Sequence, residues 1–286
     1  MANLKEIRNR ISSVSSTMQI TSAMKMVSAA KLKKAQDAIT AMRPYANKMT
    51  ELLQSLSATL DADSGSKFAD QREVNKVLVV AINSNRGLCG AFNSNIIKQG
   101  VRLTNETYAN QEVSYVAIGK KANDALSKVG TVVSNNSNVY DDLTFDNVAE
   151  IAESLMQQFV EGDFDKIVLV YNKFKNAATQ IVMTEQFLPI VPASDETNVN
   201  LDYIFEPSKA GIVEALIPKS LKTQLFKAIR DSFASEHGAR MTAMHKATDN
   251  ATELRDQLKL TYNKARQAAI TNEILEIVGG AEALNN

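Results

Sequence analysis

The C-terminal part of the chain is one long helical pattern, and this pattern limits the possible folds more than any other feature. No proline occurs between Leu221 and Leu284, and Gly238 is the only glycine before the pair near the end. Apolar or small residues recur at alternating steps of four and three, which predicts a coiled-coil seam. The predicted seam consists of Leu254, Leu258, Thr261, Ala265, Ala268, Asn272 and Leu275. A second long helix must cover it.

The N-terminal segment supplies such a helix. Its apolar line has the same alternating steps, with a polar interruption near its middle. Met24, Met26 and Val27 fall off this line, so either the seam shifts locally or these side chains face another subunit. The line consists of Leu4, Ile7, Ile11, Val14, Met18, Thr21, Lys25, Ser28, Leu32, Ala35, Ile39 and Met42.

The middle of the chain has a different periodicity. Three short apolar runs without alternation are typical of strands buried on both faces of a parallel sheet: 76–82, 113–118 and 167–171. Helical patterns separate them, at 91–103, 120–129 and 147–159, and an extended edge segment follows at 179–191. We therefore predict an α/β fold class, in which a small Rossmann-like domain (74–195) is inserted between two coiled-coil helices (1–60 and 207–286).

Two helices that leave the same domain must run antiparallel, which places residue 3 near residue 265 and leaves the rest of the C-terminal helix without a partner. Glutamates at its C-terminal end also oppose the helix dipole. An apolar or cationic sleeve from another protein would remove both problems. The alternative is that the tail folds back, or that the helix breaks near Gly238. The unpaired apolar residues are Ile270, Ile274, Leu275, Ile277, Val278 and Leu284.

Charge is unevenly distributed in a chain whose net charge is zero. Residues 1–48 carry nine Lys or Arg against two acidic residues, whereas the middle of the chain is acidic. Because these basic residues are not interleaved with aromatic ones, an acidic protein partner is favoured over nucleic acid. No apolar run is long enough to span a bilayer, and the N-terminus has no signal-like core, so we expect no membrane insertion and a cytoplasmic location.

No active site emerges from the sequence. Residues 83–93 follow the first strand, where a phosphate-binding loop would lie, but they contain only G-x-x-G. Arg86 and Cys89 in this loop are candidate partner contacts. His237 and His245 are eight residues apart, which does not fit a helical metal pair, and we expect both to be solvated or packed against the other helix. We therefore predict no catalytic residue, cofactor or metal.

Several blocks together resemble one family, the gamma subunits of F-type ATP synthases. The C-terminal block has Ile270 and Thr271, then Glu273, Glu276 and Gly280 at fixed spacing. The resemblance spans nearly the whole chain and is weakest in the two linkers. The other blocks are residues 19–29 (QITSAMKMVSA), 86–93 (RGLCGAFN), 234–244 (ASEHGARMTAM) and 262–267 (YNKARQ).

This resemblance implies a non-catalytic rotor shaft that couples ion flow through a membrane c-ring to ATP synthesis or hydrolysis at the beta subunits. The partners would be three alpha and three beta subunits, an epsilon subunit on the α/β domain, and the c-ring near Tyr203, Phe205 and Glu206. Met24 and Lys25 are expected on a turn next to the C-terminal contacts. The residues implied to face the alpha and beta ring are Met24, Lys25, Lys264, Arg266, Gln267, Thr271, Glu273 and Glu276.

The resemblance also implies a peripheral protein on the cytoplasmic face of a bacterial cell membrane. Two other classes of function remain open from the residues alone. One is a coiled-coil adaptor or tether, which would tolerate loss of residues 265–286. The other is a nucleotide-dependent enzyme built on the α/β domain, which would bind nucleotide stoichiometrically.

Overall fold

The computed structural model describes residues 4–57, 67–190 and 209–284. Two long helices flank a five-stranded mixed sheet with shorter helices between its strands. The helices are α1 (Leu4–Ser57), α2 (Phe92–Arg102), α3 (Lys120–Leu126), α4 (Phe145–Glu161) and α5 (Lys209–Leu284). The strands are β1 (Lys76–Ile82), β2 (Glu112–Ile118), β3 (Thr131–Asn135), β4 (Lys166–Phe174) and β5 (Gln180–Leu188).

The chain divides into two compact units, each described here by itself. The sheet unit comprises Ala29–Arg240, and the coil unit comprises Met1–Ser28 with Met241–Asn286. The predicted domain boundaries (1–60, 74–195 and 207–286) stay a prediction, because the segments that separate these domains, 58–66 and 191–208, lie outside the described residues.

The sheet has the order β3-β2-β1-β4-β5, and only the β4–β5 pair is antiparallel. Every residue of β1 after Lys76 is buried, as expected for a central strand covered on both faces. Helices α2 and α3 pack on one face, whereas α4 and residues 217–229 of α5 pack on the other. The Rossmann-like α/β prediction is confirmed, including the antiparallel edge strand.

Strand β3 was not predicted. Its residues alternate between exposed and half-buried, and none is fully buried. It pairs only with β2, at the edge of the sheet. With two adjacent valines in a polar segment, its sequence lacks the apolar run that identified the central strands.

Two glycines are explained by close backbone contacts in the sheet unit. Gly119 has φ +117°, and a Cβ there would lie 2.3 Å from the carbonyl oxygen of Asn83. A Cβ at Gly238 would lie 3.2 Å from both the Cα and the carbonyl oxygen of Ala177. Gly119 is required by its φ and by this contact, whereas a side chain at Gly238 would require Ala177 to move by a few tenths of an ångström. Gly238 does not break α5, which is continuous from Lys209 to Leu284, so the alternative of a helix broken there is wrong.

In the coil unit, α1 and α5 run antiparallel. Arg8 donates a 2.7 Å hydrogen bond to the Tyr262 hydroxyl, and its guanidinium lies 5.7 Å from the centre of the tyrosine ring. Farther along, Thr248 and Thr21 are hydrogen-bonded at 2.8 Å. Residue numbers therefore rise along α1 as they fall along α5, as an antiparallel pair requires.

Candidate functional site

The register of the coil unit shows how far α5 extends past α1. Because Arg8 lies opposite Tyr262, the first helical residue, Leu4, lies at the level of residue 266 or so. This agrees closely with the predicted pairing of residues 3 and 265. Residues 267–284 of α5 therefore extend past the described end of α1, over a length of roughly 27 Å.

We call residues 267–284 the tip. Every described side chain from Ile270 to Glu282 is exposed, including five large apolar ones. Ile277 is 71% exposed, more than any other large apolar residue of the described part of the chain. The helix also ends without a basic residue in its last turn. The expectation of an uncovered apolar tip holds for these residues, while the side chain of Leu284 lies outside the description.

The seam of α1 matches its prediction, since every residue of the predicted line within the coil unit is buried or half-buried. The seam of α5 does not match. Leu254, Thr261 and Ala268 are exposed, whereas their immediate neighbours turn inward. The observed seam is Met244, Thr248, Ala251, Arg255, Leu258, Tyr262, Ala265 and Ala269. Of the seven predicted positions only Leu258 and Ala265 are half-buried, because small and polar residues gave two nearly equivalent lines beside α1 and the last three positions lie on the tip.

Met24 and Lys25 are both half-buried, and Lys25 Nζ lies 3.5 Å from His245 Nδ1. The neighbouring Met26 and Val27 are exposed, and so is Ile20 one turn earlier. Of the two interpretations of the polar interruption, the structure supports the one in which apolar side chains face outward. The exposed Met26 and Val27 were not among the predicted contact residues, although their position off the seam was the signal for them.

The C-terminal candidates share one property: each is exposed in the C-terminal part of α5. They are Lys264, Arg266, Gln267, Thr271, Glu273 and Glu276. The Thr271 hydroxyl donates a hydrogen bond to the carbonyl oxygen of Gln267 within the helix, at 2.9 Å. These side chains are therefore free to meet a surface outside the chain.

The expectation that Met24 and Lys25 lie on a turn next to these residues is wrong. Lys25 lies at the level of His245, and Lys264 is nineteen residues farther along α5. At 1.5 Å per residue the two levels are about 28 Å apart. The structure thus separates the candidates into a lower level near Lys25 and an upper level near Arg266.

In the sheet unit, Arg240 joins α5 to the loop after β1. Its guanidinium forms a 2.6 Å ion pair with Glu236 and donates to the carbonyl oxygens of Arg86 and Gly87, at 3.2 and 3.3 Å. Both charged side chains are less than 10% exposed. Burial raises the pKa of the Glu236 carboxyl, and the Arg240 charge opposes that rise. Sequence reasoning did not find this pair, although the i, i+4 spacing of Glu and Arg was available.

His237 lies in the same buried cluster. Its ring packs edge-on against Phe233, with centroids 4.5 Å apart, and its Nδ1 lies 3.4 Å from Arg240 Nη1. Burial, assisted by the charges of Arg240 and Lys31, lowers the pKa of His237 from 6.5 to about 4. The imidazole is therefore neutral at pH 7. His245, by contrast, is exposed and lies beside Lys25 and Asp249.

The loop after β1 is held by contacts with the first residues of α2 and α3. Ser84 Oγ lies 2.9 Å from Asn93 Oδ1, and Asn85 Oδ1 accepts from the backbone N–H of Lys120. Cys89 is only 1% exposed, and burial raises the pKa of its thiol. The hypothesis that Cys89 is a surface contact is therefore wrong, whereas Arg86 is exposed as expected.

Two further expectations concern what the chain could bind. Among the described residues, no three His, Cys, Asp or Glu side chains are arranged to hold a metal ion. None of the described helices has a stretch long and apolar enough to cross a membrane. The predicted contacts Tyr203, Phe205 and Glu206 lie outside the described residues.

Comparison with known proteins decides between the classes of function. The sequence pattern of the family described as ATP synthase matches residues 3–284. A curated relative, the ATP synthase gamma chain of Flavobacterium psychrophilum, is 75% identical over 285 residues and covers 99% of each chain. The chain belongs to the ATP synthase gamma-chain family. The gamma chain of Cytophaga hutchinsonii, at 52% identity over the full length of both chains, is a more distant member.

Solved structures agree with this membership. The central stalk and c-ring structure of the Tetrahymena thermophila mitochondrial ATP synthase contains a chain that is 26% identical, with a TM-score of 0.60, covering 80% of this chain and 99% of that one. A chain of the Euglena gracilis mitochondrial enzyme (OSCP, F1 and c-ring) has 24% identity and a TM-score of 0.72, covering 98% of this chain and 94% of that one. The latter supports the fold. The assignment of this chain as a gamma subunit, a non-catalytic rotor component of an ATP synthase that is itself membrane-associated, is confirmed.

Proposed function

We propose that this gamma chain turns with its exposed tip inside a ring of three alpha and three beta subunits, and so couples rotation to the nucleotide state of each beta subunit. The observation that carries the proposal is the tip, where large apolar side chains such as Ile274, Leu275 and Ile277 are more than half exposed. Fully burying a side chain of this size is worth about 1.5 to 3 kcal/mol. A sleeve of apolar partner side chains would provide that burial.

We divide the proposed contacts with the ring between the upper and lower levels of the coil unit. At the upper level we assign Lys264, Arg266, Gln267, Thr271, Glu273 and Glu276 to the alpha and beta subunits. At the lower level we assign Met24 and Lys25, with the exposed Met26 and Val27 beside them. Contacts at two heights about 28 Å apart would resist tilting of the shaft as well as guide its rotation.

The mechanism needs no reacting group on this chain. One face of the coil differs from the next, because Ile20 and Val27 are exposed on α1 while Lys25 and His245 meet at the seam. As such a shaft turns, each beta subunit meets a different face in succession. Differential contacts of this kind shift the populations of the beta conformations, and the chemistry takes place in beta.

The other partners follow from family membership. We assign the sheet unit to the epsilon subunit, and Tyr203, Phe205 and Glu206 to the region of the c-ring and epsilon. The chain would then lie on the cytoplasmic face of a bacterial cell membrane, attached through the c-ring and with no segment of its own inserted.

Co-expression with the host's alpha and beta subunits tests the proposal. The full-length chain should give an active complex with one copy per three alpha–beta pairs, and truncation after residue 264 should weaken assembly or coupling. The double variant Ile274→Ser/Ile277→Ser should weaken retention in the complex in the same direction, because it removes apolar area from the tip alone. Val129→Ser, which changes an exposed apolar residue of the sheet unit, is the matched control.

Two results would reject the proposal. If the truncated chain assembles and couples as well as the full chain, the tip does not make the contacts with the alpha and beta ring that we assign to it. If the full-length chain never enters a complex with alpha and beta, the adaptor or tether alternative takes its place.

A further inference from the structure

Two seams compete on the face of α5, and the structure uses the one that leaves Leu254 out. Both seams contain Leu258 and Ala265. At the alternate positions, one seam has Leu254 and Thr261, whereas the other has Arg255 and Tyr262. The second is observed, so that Leu254 remains 47% exposed while Arg255 is half-buried. Since successive residues are 100° apart on a helix, the two seams differ by a rotation of α5 of about 50° about its own axis.

Apolar burial alone does not decide between the two seams, because one gains Leu254 while the other gains the ring of Tyr262. The observed seam must therefore be selected by contacts that only it allows. Three polar levels of the coil unit provide such contacts, and each joins a side chain of α5 to a side chain of α1.

The first level is the hydroxyl pair Thr21 and Thr248, whose oxygens are 2.8 Å apart. Thr21 is 9% exposed. The Met18 carbonyl lies 3.1 Å from the Thr21 hydroxyl, and the Met244 carbonyl lies 2.8 Å from that of Thr248. Each hydroxyl has one proton, so when one threonine donates to the other, only the second can donate to the carbonyl of its own helix. The bond between the helices exists only while both threonines face each other.

The second level surrounds the Met18 thioether, which lies 3.3 Å from the Thr252 hydroxyl and 3.5 Å from Arg255 Nη1. The third level is Tyr262, which accepts the 2.7 Å hydrogen bond from Arg8 and lies under its guanidinium. Rotating α5 by about 50° would carry Thr248, Arg255 and Tyr262 away from their partners together.

We infer that Thr248 and Tyr262 are positioning residues of the shaft, which set the rotational angle of α5 against α1. Arg266 and Gln267 follow Tyr262 within about one turn of the same continuous helix. The angle set at Tyr262 therefore determines the direction in which these two side chains point. This inference rests on the proposed function for its consequence in the complex, but the angle itself is a property of the chain alone.

The angle can be measured in the full-length chain through the reactivity of a cysteine at position 254. In a Leu254→Cys background, the thiol should react quickly with a maleimide, and Cys89 contributes little because it is buried. Adding Thr248→Ala and Tyr262→Ala should slow the reaction several-fold, because position 254 turns into the seam. The matched control, Asn250→Ala with Asn263→Ala, changes two exposed residues of the same turns and should leave the rate unchanged.

The conservative pair Thr248→Ser and Tyr262→Phe keeps the hydroxyl at 248 and the ring beneath Arg8, and should retain the fast rate. Helix content measured by circular dichroism shows whether each variant folds. An unchanged labelling rate in the folded alanine variant would overturn the inference. If that variant does not fold, the single variants Thr248→Ala and Tyr262→Ala are compared instead, and the inference fails unless at least one of them slows labelling.

The consequence for function is tested in the complex reconstituted with alpha, beta and the membrane sector, without the cysteine. The alanine variant should pump fewer protons per ATP hydrolysed than the wild-type chain, and the conservative pair should restore the ratio. If labelling shows that position 254 is protected in the alanine variant but the ratio of protons pumped to ATP hydrolysed is unchanged, the positioning role is overturned. Failure of the wild-type chain to enter the complex would count against the proposed function instead, and would leave the labelling result as it stands.

Discussion

The central sheet and the coil of this protein both depend on rows of buried side chains, but these side chains are buried to different degrees in the two regions. Six successive residues of β1, from Val77 to Ile82, are wholly inaccessible, and helices cover both faces of the sheet. In the coil unit the seam of α5 is mostly half-buried and includes Thr248, Arg255 and Tyr262. The sheet unit has a complete core of its own, whereas the tip of the coil unit leaves large apolar side chains such as Ile277 exposed.

The largest expected effect is in the sheet core. Phe159 of α4 is fully buried, and Phe159→Ala should lower the free energy of unfolding by about 3 to 5 kcal/mol, because it removes buried contacts and leaves a cavity. Urea denaturation followed by circular dichroism measures this. Phe159→Leu, which keeps most of the volume, should cost less than half as much. A loss below about 1 kcal/mol for the alanine variant would mean that the sheet core is not the more stable region.

Arg240→Met should be the next most damaging change. It leaves the Glu236 carboxylate buried without its partner, and the expected loss is about 3 kcal/mol at pH 7. Adding Glu236→Gln should restore part of the stability, because a neutral amide is less costly to bury than a lone charge. Chemical denaturation of the two variants checks this, and equal stability of the single and double variants would contradict it.

Stability should also depend on pH through His237. Its pKa is about 4 in the folded chain and 6.5 ordinarily, so between these values the unfolded chain binds a proton that the folded chain does not. Stability from this group is fully present above pH 6.5 and falls as the pH drops towards 4, by up to about 3 kcal/mol.

The buried carboxyls of Glu236 and Asp231 act with the opposite sign, because burial raises their pKa values. Comparing the wild-type chain with His237→Gln therefore isolates the histidine. The difference in unfolding free energy between pH 6.5 and pH 4 should be smaller in the variant. The same difference in both proteins would show that the imidazole is not responsible.

The smallest expected effect on stability is at the tip. Ile277→Ser should change the unfolding free energy of the isolated chain by no more than about 0.5 kcal/mol, because the side chain is 71% exposed. The same variant should weaken retention of the chain in a complex with alpha and beta subunits, measured by co-purification. A stability loss of the size expected for Phe159→Ala would show that the tip is buried within its own chain, which would remove the contrast between the regions.

Regular patterns were sufficient to predict most of the fold. The central strands β1, β2 and β4 could be read from apolar runs, and the α1 seam from Leu4 to Met42 was correct at every position, because the apolar residues on both sides of its polar interruption define the same line. The edge strand β3 could not be found, because its stability comes from pairing with β2 and not from burial of its own side chains.

The candidate site was predicted in part. The exposed tip followed from comparing helix lengths, since an unpaired end is a consequence of counting residues along an antiparallel pair. The separation of Lys25 from Arg266 and the burial of Cys89 did not follow, because each depends on what lies opposite in the folded chain. The contact residues of the alpha and beta ring stay a prediction.

The sequence by itself determined that an α/β domain lies between two long helices along the chain, and that the C-terminal helix extends past the N-terminal one. It could do so because periodicity and length are properties of a single segment. Tertiary structure alone decided which face of α5 meets α1, and that Arg240 is buried beside Glu236. Neighbouring lines of small residues on a helix are nearly equal in apolar area. The choice between them is made by side chains from a distant part of the chain, here Thr21 and Arg8.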